Sequence, residues 1–223
     1  MKTLAERYHR IQASLPPGVK LIAVSKTRSV EEIRALYDLG HRAFGENYPQ
    51  ELKEKQPVLP ADIEWHFIGH LQRSNVKHII AFTHLVHGVD SLPLLDELNK
   101  RAGTVGRSID VLLQIHIAKE ESKHGFSSEE IRTFFQQPDI SHRWPNVRVR
   151  GLMGMATNTE DRTLVSSEFA GLAGLFREIR ETGPYPTDQF CELSMGMTSD
   201  ADIAVAQGST MVRIGTAIFG DRS

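Results

Sequence analysis

Leu21-Ile22-Ala23-Val24-Ser25-Lys26-Thr27 runs from small and apolar residues into a serine and a lysine, and a helical pattern follows. Such a run, rich in β-formers and placed before a helix, reads as a buried parallel strand. Alternation along the strand puts Ile22, Val24 and Lys26 on one face, with the Lys26 ammonium at the mouth of an apolar interior. Burial disfavours the charged form of a lysine, and the neutral amine forms Schiff bases with aldehydes. Read alone, the stretch also allows a strand-end lysine that snorkels to solvent.

Seven more strand-like stretches follow, at 42–45, 63–68, 85–87, 109–117, 147–155, 189–193 and 210–214. Helical patterns separate them, at 29–39, in a polar stretch that stops by Pro57, and at 72–81, 91–101, 127–137, 159–181 and 200–207. Eight strands alternating with helices, without hairpin turns, predict a single parallel (β/α)8 TIM barrel domain over 1–223. An open doubly wound sheet is the alternative, but its first turn carries glycines, and here that turn is Ser25-Lys26-Thr27-Arg28. Leu4, Tyr8 and Ile11 mark an extra N-terminal helix over 1–13, expected to take the last place in the outer ring.

The 223 residues carry 26 Lys plus Arg against 28 Asp plus Glu, so no basic footprint for nucleic acid or anionic membrane is present. Cys191 is the one cysteine, which excludes an internal disulfide and suits a reducing compartment; its apolar surroundings predict a packed core thiol. The charged N-terminus has no signal-peptide core, and no apolar run reaches the roughly 20 residues of a membrane span. A cytoplasmic location is expected.

Barrels of this kind place active residues at the C-terminal ends of strands and bind phosphate in the loops after strands seven and eight. Those loops are Leu193-Ser194-Met195-Gly196-Met197-Thr198-Ser199-Asp200 and Arg213-Ile214-Gly215-Thr216-Ala217. Glycine and hydroxyl residues at a helix start suit an anion held by N–H and hydroxyl groups, though Ser199 or Asp200 could simply cap a helix and Gly215 make a turn. A lysine facing an anion cradle suggests a phosphorylated aldehyde, such as pyridoxal phosphate or the sugar phosphate of a Schiff-base aldolase. Arg213 interrupts an apolar run and needs either an ion-pair partner or a ligand atom. Asn47 is a helix cap or a cofactor contact. His66 and His70 lie on strand and loop without a carboxylate motif, so no metal site is expected. Glu120, Glu121 and Lys123 read as a solvated loop, with His124-Gly125 as its turn.

Ala23-Val24-Ser25-Lys26-Thr27, Phe44-Gly45-Glu46-Asn47-Tyr48, Trp65-His66-Phe67-Ile68-Gly69-His70-Leu71-Gln72, Leu193-Ser194-Met195-Gly196-Met197 and Val212-Arg213-Ile214-Gly215-Thr216-Ala217-Ile218-Phe219-Gly220 resemble the pyridoxal phosphate homeostasis proteins, themselves similar to the N-terminal barrel of alanine racemase. The resemblance covers about 1–220. It implies pyridoxal 5′-phosphate held as a Schiff base on Lys26. It also implies phosphate contacts from Ser194, the backbone near Gly196, Gly215 and Thr216, with Arg213 facing the pyridine nitrogen and Asn47 near the ring. An arginine does not readily protonate that nitrogen, so the ring is a weaker electron sink than one paired with a carboxylate. The chain departs from the family pattern at Arg73-Ser74-Asn75, where Arg-Asn-Lys is usual, at Pro49, and at Thr198, where serine is usual.

The expected role is a monomeric carrier that buffers the cofactor and passes it to pyridoxal phosphate-dependent apoenzymes. The alternative is an amino-acid racemase or related enzyme. Racemisation needs a base on each face of the substrate, and among Tyr8, Tyr37, Tyr48 and Tyr185 only Tyr48 is a candidate for the second. No residue stands out as the acid–base partner of an aldolase.

Overall fold

Eight parallel strands pair in chain order, and the last closes onto the first. They are β1 (Lys20–Val24), β2 (Ala43–Glu46), β3 (Glu64–Phe67), β4 (Leu85–Val89), β5 (Ile109–Ile115), β6 (Val147–Gly154), β7 (Glu192–Ser194) and β8 (Met211–Ile214). The closing seam sets Lys20 opposite Met211 and Ile22 opposite Arg213. This is a computed structural model, and it describes residues 2–120, 124–137 and 139–220. Glu121 and Lys123 of the expected solvated loop lie outside the described residues. Glu120 is half-buried, and its carboxylate accepts from the Asn158 N–H at 2.9 Å, so it is held against the next loop rather than solvated.

The helices are α1 (Leu4–Ser14), α2 (Val30–Asp38), α3 (Pro49–Lys55), α4 (Val76–Ile79), α5 (Leu92–Thr104), α6 (Ser128–Phe135), α7 (Arg162–Thr182), α8 (Ala201–Ala206) and α9 (Thr216–Phe219). Thr3, Ser29 and Ser127 each close a capping box with the glutamate three residues on, which fixes where α1, α2 and α6 begin. The expectation for 1–13 holds: Tyr8 and Ile11 are buried, and Arg7 Nε donates to the Ile218 carbonyl at 2.6 Å. That contact ties α1 to α9 beside the seam.

Three stretches differ from expectation. Residues 73–75 form a tight 3-10 turn, and only 76–79 are α-helical, so the predicted helix at 72–81 is shorter. The seventh strand starts at Glu192 rather than 189, because Gln189 and Phe190 both donate to the Pro186 carbonyl in a turn. Cys191 is half-buried beside Arg150, whose guanidinium lies 3.6 Å from its sulfur, instead of packed in the core. Burial still pushes its thiol pKa up.

The main apolar core lies between strands and helices, where Phe44, Phe67, Leu95, Val111, Phe169 and Val212 pack. A second cluster, Ile22, Leu85, Leu112, Met153 and Met211, occupies the barrel interior. Period-2 alternation then carries Val24, His87, Gln114, Met155 and Arg213 up the same inner face towards the mouth. The barrel is thus closed below by hydrocarbon and lined above by buried polar groups.

Candidate functional site

Strand β1 ends at Val24, and Ser25 still donates its N–H to the Gly45 carbonyl at 2.9 Å. Lys26 therefore sits one step beyond the strand, in a turn whose next residue, Thr27, adopts the left-handed conformation (φ 63°). A threonine in that region costs energy and needs outside support. The support is a buried polar cluster under the turn. Ser25 Oγ donates to Glu46 Oε1 at 2.6 Å, and Lys55 Nζ donates to the same oxygen and to the Ser25 carbonyl, each at 2.8 Å. Glu51 Oε1 accepts from both Lys55 Nζ and the Thr27 N–H at 2.5 Å. Burial pushes the Glu46 pKa up against the pull of Lys55.

The alternation read from the sequence is kept. Lys26 is half-buried and shares a cavity of about 430 Å3 with Val24, Arg213, Thr198, Ser199, Gly215 and Thr216. A volume of that order suits a small cofactor. No aspartate, glutamate or histidine lines it among the described residues. Gly215 is demanded by close packing: a Cβ there would lie 3.2 Å from both Cβ and O of Val24. The two loops picked out for an anion do converge beside Lys26.

Arg213 is buried, and burial pulls its pKa down to about 10, which leaves it charged at neutral pH. Among the described residues it makes no ion pair. Its Nη1 donates to Ser194 Oγ at 2.5 Å and its Nη2 to the Gly154 carbonyl at 3.1 Å. Neutral oxygens thus orient the guanidinium, which also faces the cavity. The ion pair offered for Arg213 as one option from the sequence is not formed.

Ser194 stands apart from the phosphate role implied for it. Its side chain is fully buried inside the barrel, bonded to Arg213 and 3.0 Å from His87 Nδ1, and does not line the cavity. Thr198 and Ser199 line the cavity instead. Gly196 has φ 89°, and a Cβ there would meet Ala204 Cβ at 2.6 Å; its carbonyl accepts from the Arg213 N–H at 3.0 Å. It tethers the β7 loop to β8 and α8.

Behind Ser194 the polar chain continues, because His87 Nε2 lies 2.9 Å from His66 Nδ1. Both imidazoles are fully buried, and burial pulls both pKa values down, that of His66 to about 4, so both rings are neutral at pH 7. His66 Nε2 then faces Glu64 at 4.0 Å, too far for a hydrogen bond. The sequence reading missed His87 and the Glu46–Lys55–Glu51 cluster. The period-2 pattern of Leu85 and His87 was the available signal for the first. The second comes from side chains facing away from the barrel axis.

Asn47 is half-buried, and it caps nothing: its Oδ1 is buried with no hydrogen-bond partner among the described residues, and Tyr48 precedes α3 without a side-chain cap. A buried acceptor just past the end of β2 is thus left without a protein partner among the described residues. The backbone there is tightly held, since a Cβ on Gly69 would approach the Asn47 carbonyl oxygen to 2.3 Å.

A closed parallel barrel carrying one lysine at the end of its first strand, opposite hydroxyl-rich loops after its last two, defines the alanine-racemase class of barrel. The family model for the alanine racemase N-terminal domain matches residues 1–223. The chain belongs, within that class, to the pyridoxal phosphate homeostasis protein family. The family member of Pasteurella multocida is 39% identical over 221 residues, covering 96% of this chain and 92% of its own. The human member is 38% identical over 238 residues, covering 100% of this chain and 85% of its own. PipY of Synechococcus elongatus is 36% identical and superposes with a TM-score of 0.91 without PLP and 0.87 with PLP bound, over 98% of this chain and 100% of PipY in each case. Alanine racemase of Clostridium difficile shares the fold at 16% identity, with a TM-score of 0.74 over 98% of this chain and 56% of the racemase.

Proposed function

We propose that this chain binds pyridoxal 5′-phosphate covalently through Lys26 and serves to store and deliver the cofactor rather than to turn over a substrate. One observation carries the reading: Lys26, Arg213, Thr198, Ser199, Gly215 and Thr216 meet in one cavity whose described lining holds no carboxylate or imidazole. The residues fit the group. Thr198, Ser199, Thr216 and the Gly215 backbone suit its phosphate; Asn47, whose Oδ1 is orphaned, does not line the cavity and is assigned to the ring on the family resemblance alone. When bound, the group supplies an aldehyde for the lysine amine and a ring able to take up electron density.

The protein's own residues restrain that chemistry. Arg213 keeps its protons at neutral pH and is held by Ser194 and Gly154, so it positions the ring nitrogen without handing it a proton. Ser194 acts through Arg213. Among the described residues lining the cavity, Lys26 is the one group suited to proton abstraction. Tyr8 is buried beside His41, Tyr37 donates to Asp62, and Tyr185 packs on Phe190; Tyr48 is exposed beside Asn47 and is the one tyrosine placed to test the racemase alternative. Operation as a monomer in the cytoplasm, with transfer to apoenzymes, belongs to the same proposal. Among the described residues no helix is long and apolar enough to cross a membrane.

The test is the visible spectrum of the purified protein before and after borohydride, with peptide mapping. The expected result is yellow protein, bleached on reduction, with the tag on Lys26; Lys26→Ala should lose the tag and keep weaker, phosphate-competed binding. Protein that stays colourless in excess aldehyde, or a tag on Lys55, overturns the reading. Turnover of L-alanine at an enzyme-like rate would replace the carrier by the racemase.

A further inference from the structure

We propose that His70, Asp90 and His124 form a binding site for a divalent metal ion of the zinc class at the barrel mouth. The three residues follow β3, β4 and β5, and their donor atoms lie within 4.8 Å of one another. His70 Nδ1 is 3.1 Å from Asp90 Oδ2, and the His70 and His124 rings stack at 4.2 Å with an interplanar angle of 22°. The sequence reading paired His70 with His66 and expected no metal. In the fold His66 is buried against His87, and His70 meets two residues from other loops.

The grouping is built by the backbone. Each donor lies within two residues of a glycine that has no room for a side chain. A Cβ on Gly69 would meet the Asn47 carbonyl at 2.3 Å, one on Gly88 the Gly69 carbonyl at 2.8 Å, and one on Gly125 the His116 nitrogen at 2.7 Å. The Gly88 approach draws the ends of β3 and β4 together, the Gly69 approach holds the β3 end against the residue after β2, and the Gly125 approach folds the loop after β5 back onto its own strand. Inside the barrel, Gln114 Nε2 donates to the His124 carbonyl at 2.7 Å, which fixes the β5 loop over the mouth. Ser91 Oγ donates to Asp90 Oδ1 at 3.1 Å and leaves Oδ2 directed at His70. Such an outer bond is the usual support of a ligating carboxylate.

Two imidazoles and one carboxylate are a zinc-type donor set, and three protein ligands leave positions for water. Metal–ligand bonds of about 2.0–2.2 Å bring donors to about 3–3.5 Å from one another; because the stacked His70 and His124 rings direct their in-plane lone pairs side by side, one imidazole must turn out of the stack to close the set. A second grouping, Glu64, His66 and His84, lies at the opposite end of the barrel. There the Lys20 ammonium stands 3.4 Å from Glu64 and competes with any cation. The mouth site is the stronger of the two, and it does not depend on the cofactor reading.

The experiment is equilibrium dialysis of the full chain, stripped with a chelator, against Zn2+, followed by elemental analysis. One equivalent should bind, and His70→Ala and His124→Ala should each weaken binding at least tenfold; His84→Ala should leave it unchanged. Asp90→Asn should also weaken binding, with circular dichroism confirming that it folds. Binding must survive Lys26→Ala, which separates this ion from one held by a bound aldehyde. Absence of bound zinc, affinity unchanged by both mouth histidine variants, or loss on His84→Ala or Lys26→Ala overturns the proposal.

Discussion

Lys55 Nζ meets Glu46 Oε1 at 2.8 Å with both side chains buried, directly beneath the turn that carries Lys26. The same ammonium bonds the Ser25 carbonyl, so one ion pair anchors the backbone immediately before Lys26. Lys55→Met strands the Glu46 carboxylate in the interior. Removing one partner of a buried pair costs about 3–5 kcal/mol, and urea unfolding measures it. The Glu46 pKa is already raised by burial and should rise further in the variant. A raised acid contributes stability below its unfolded value and loses it as pH rises through its folded value. The deficit of Lys55→Met should therefore be larger at pH 8 than at pH 5.5, and an equal deficit would show Glu46 to be uninvolved.

His66 and His87 give the protein an acid sensitivity of opposite sign. Their folded pKa values are depressed, that of His66 to about 4, so the unfolded chain takes up protons first as pH falls below the ordinary value of 6.5. For His66 stability should drop between pH 6.5 and 4 by about 1.4 kcal/mol per pH unit, and His87 adds a loss of the same sign below pH 6.5. His66→Gln should remove one proton's share of that slope in denaturant titrations.

Ser194→Ala removes the oxygen shared by Arg213 and His87. A hydrogen bond to a charged group is worth about 1.5–3 kcal/mol, and thermal or urea unfolding should show a loss of that order. Borohydride should still tag Lys26, while the visible band of the bound cofactor shifts because the guanidinium is freed to move. A direct phosphate role for Ser194 would instead leave the band in place and weaken competition by inorganic phosphate.

Two glycines separate strain from entropy. Gly69→Ala forces a Cβ to 2.3 Å from the Asn47 carbonyl and should cost about 1–3 kcal/mol or more. Gly171→Ala, in exposed mid-helix with nothing within 4 Å, should stabilise by about 0.5–1 kcal/mol. Unfolding midpoints moving in the same direction for both would contradict this assignment of space.

The barrel and its lysine were legible because they rest on local, periodic signals. Alternation in 20–24 placed Lys26 above Ile22 and Val24, capping residues such as Ser29 marked the helices, and glycine with hydroxyl residues marked the loops at Gly196 and Gly215. Distance in the chain hides other pairings. Nothing local says that Lys55 reaches back under Ser25, that Ser194 faces Arg213 and His87 rather than an anion, or that His70, Asp90 and His124 share a rim. Those meetings are decided by strand register and by the approaches of Gly69 and Gly88 to neighbouring strand ends, which exist only once the strands pair. Side-chain type and spacing by themselves determined the fold and the place of Lys26 at the barrel mouth; closure of the barrel decided which polar groups answer one another.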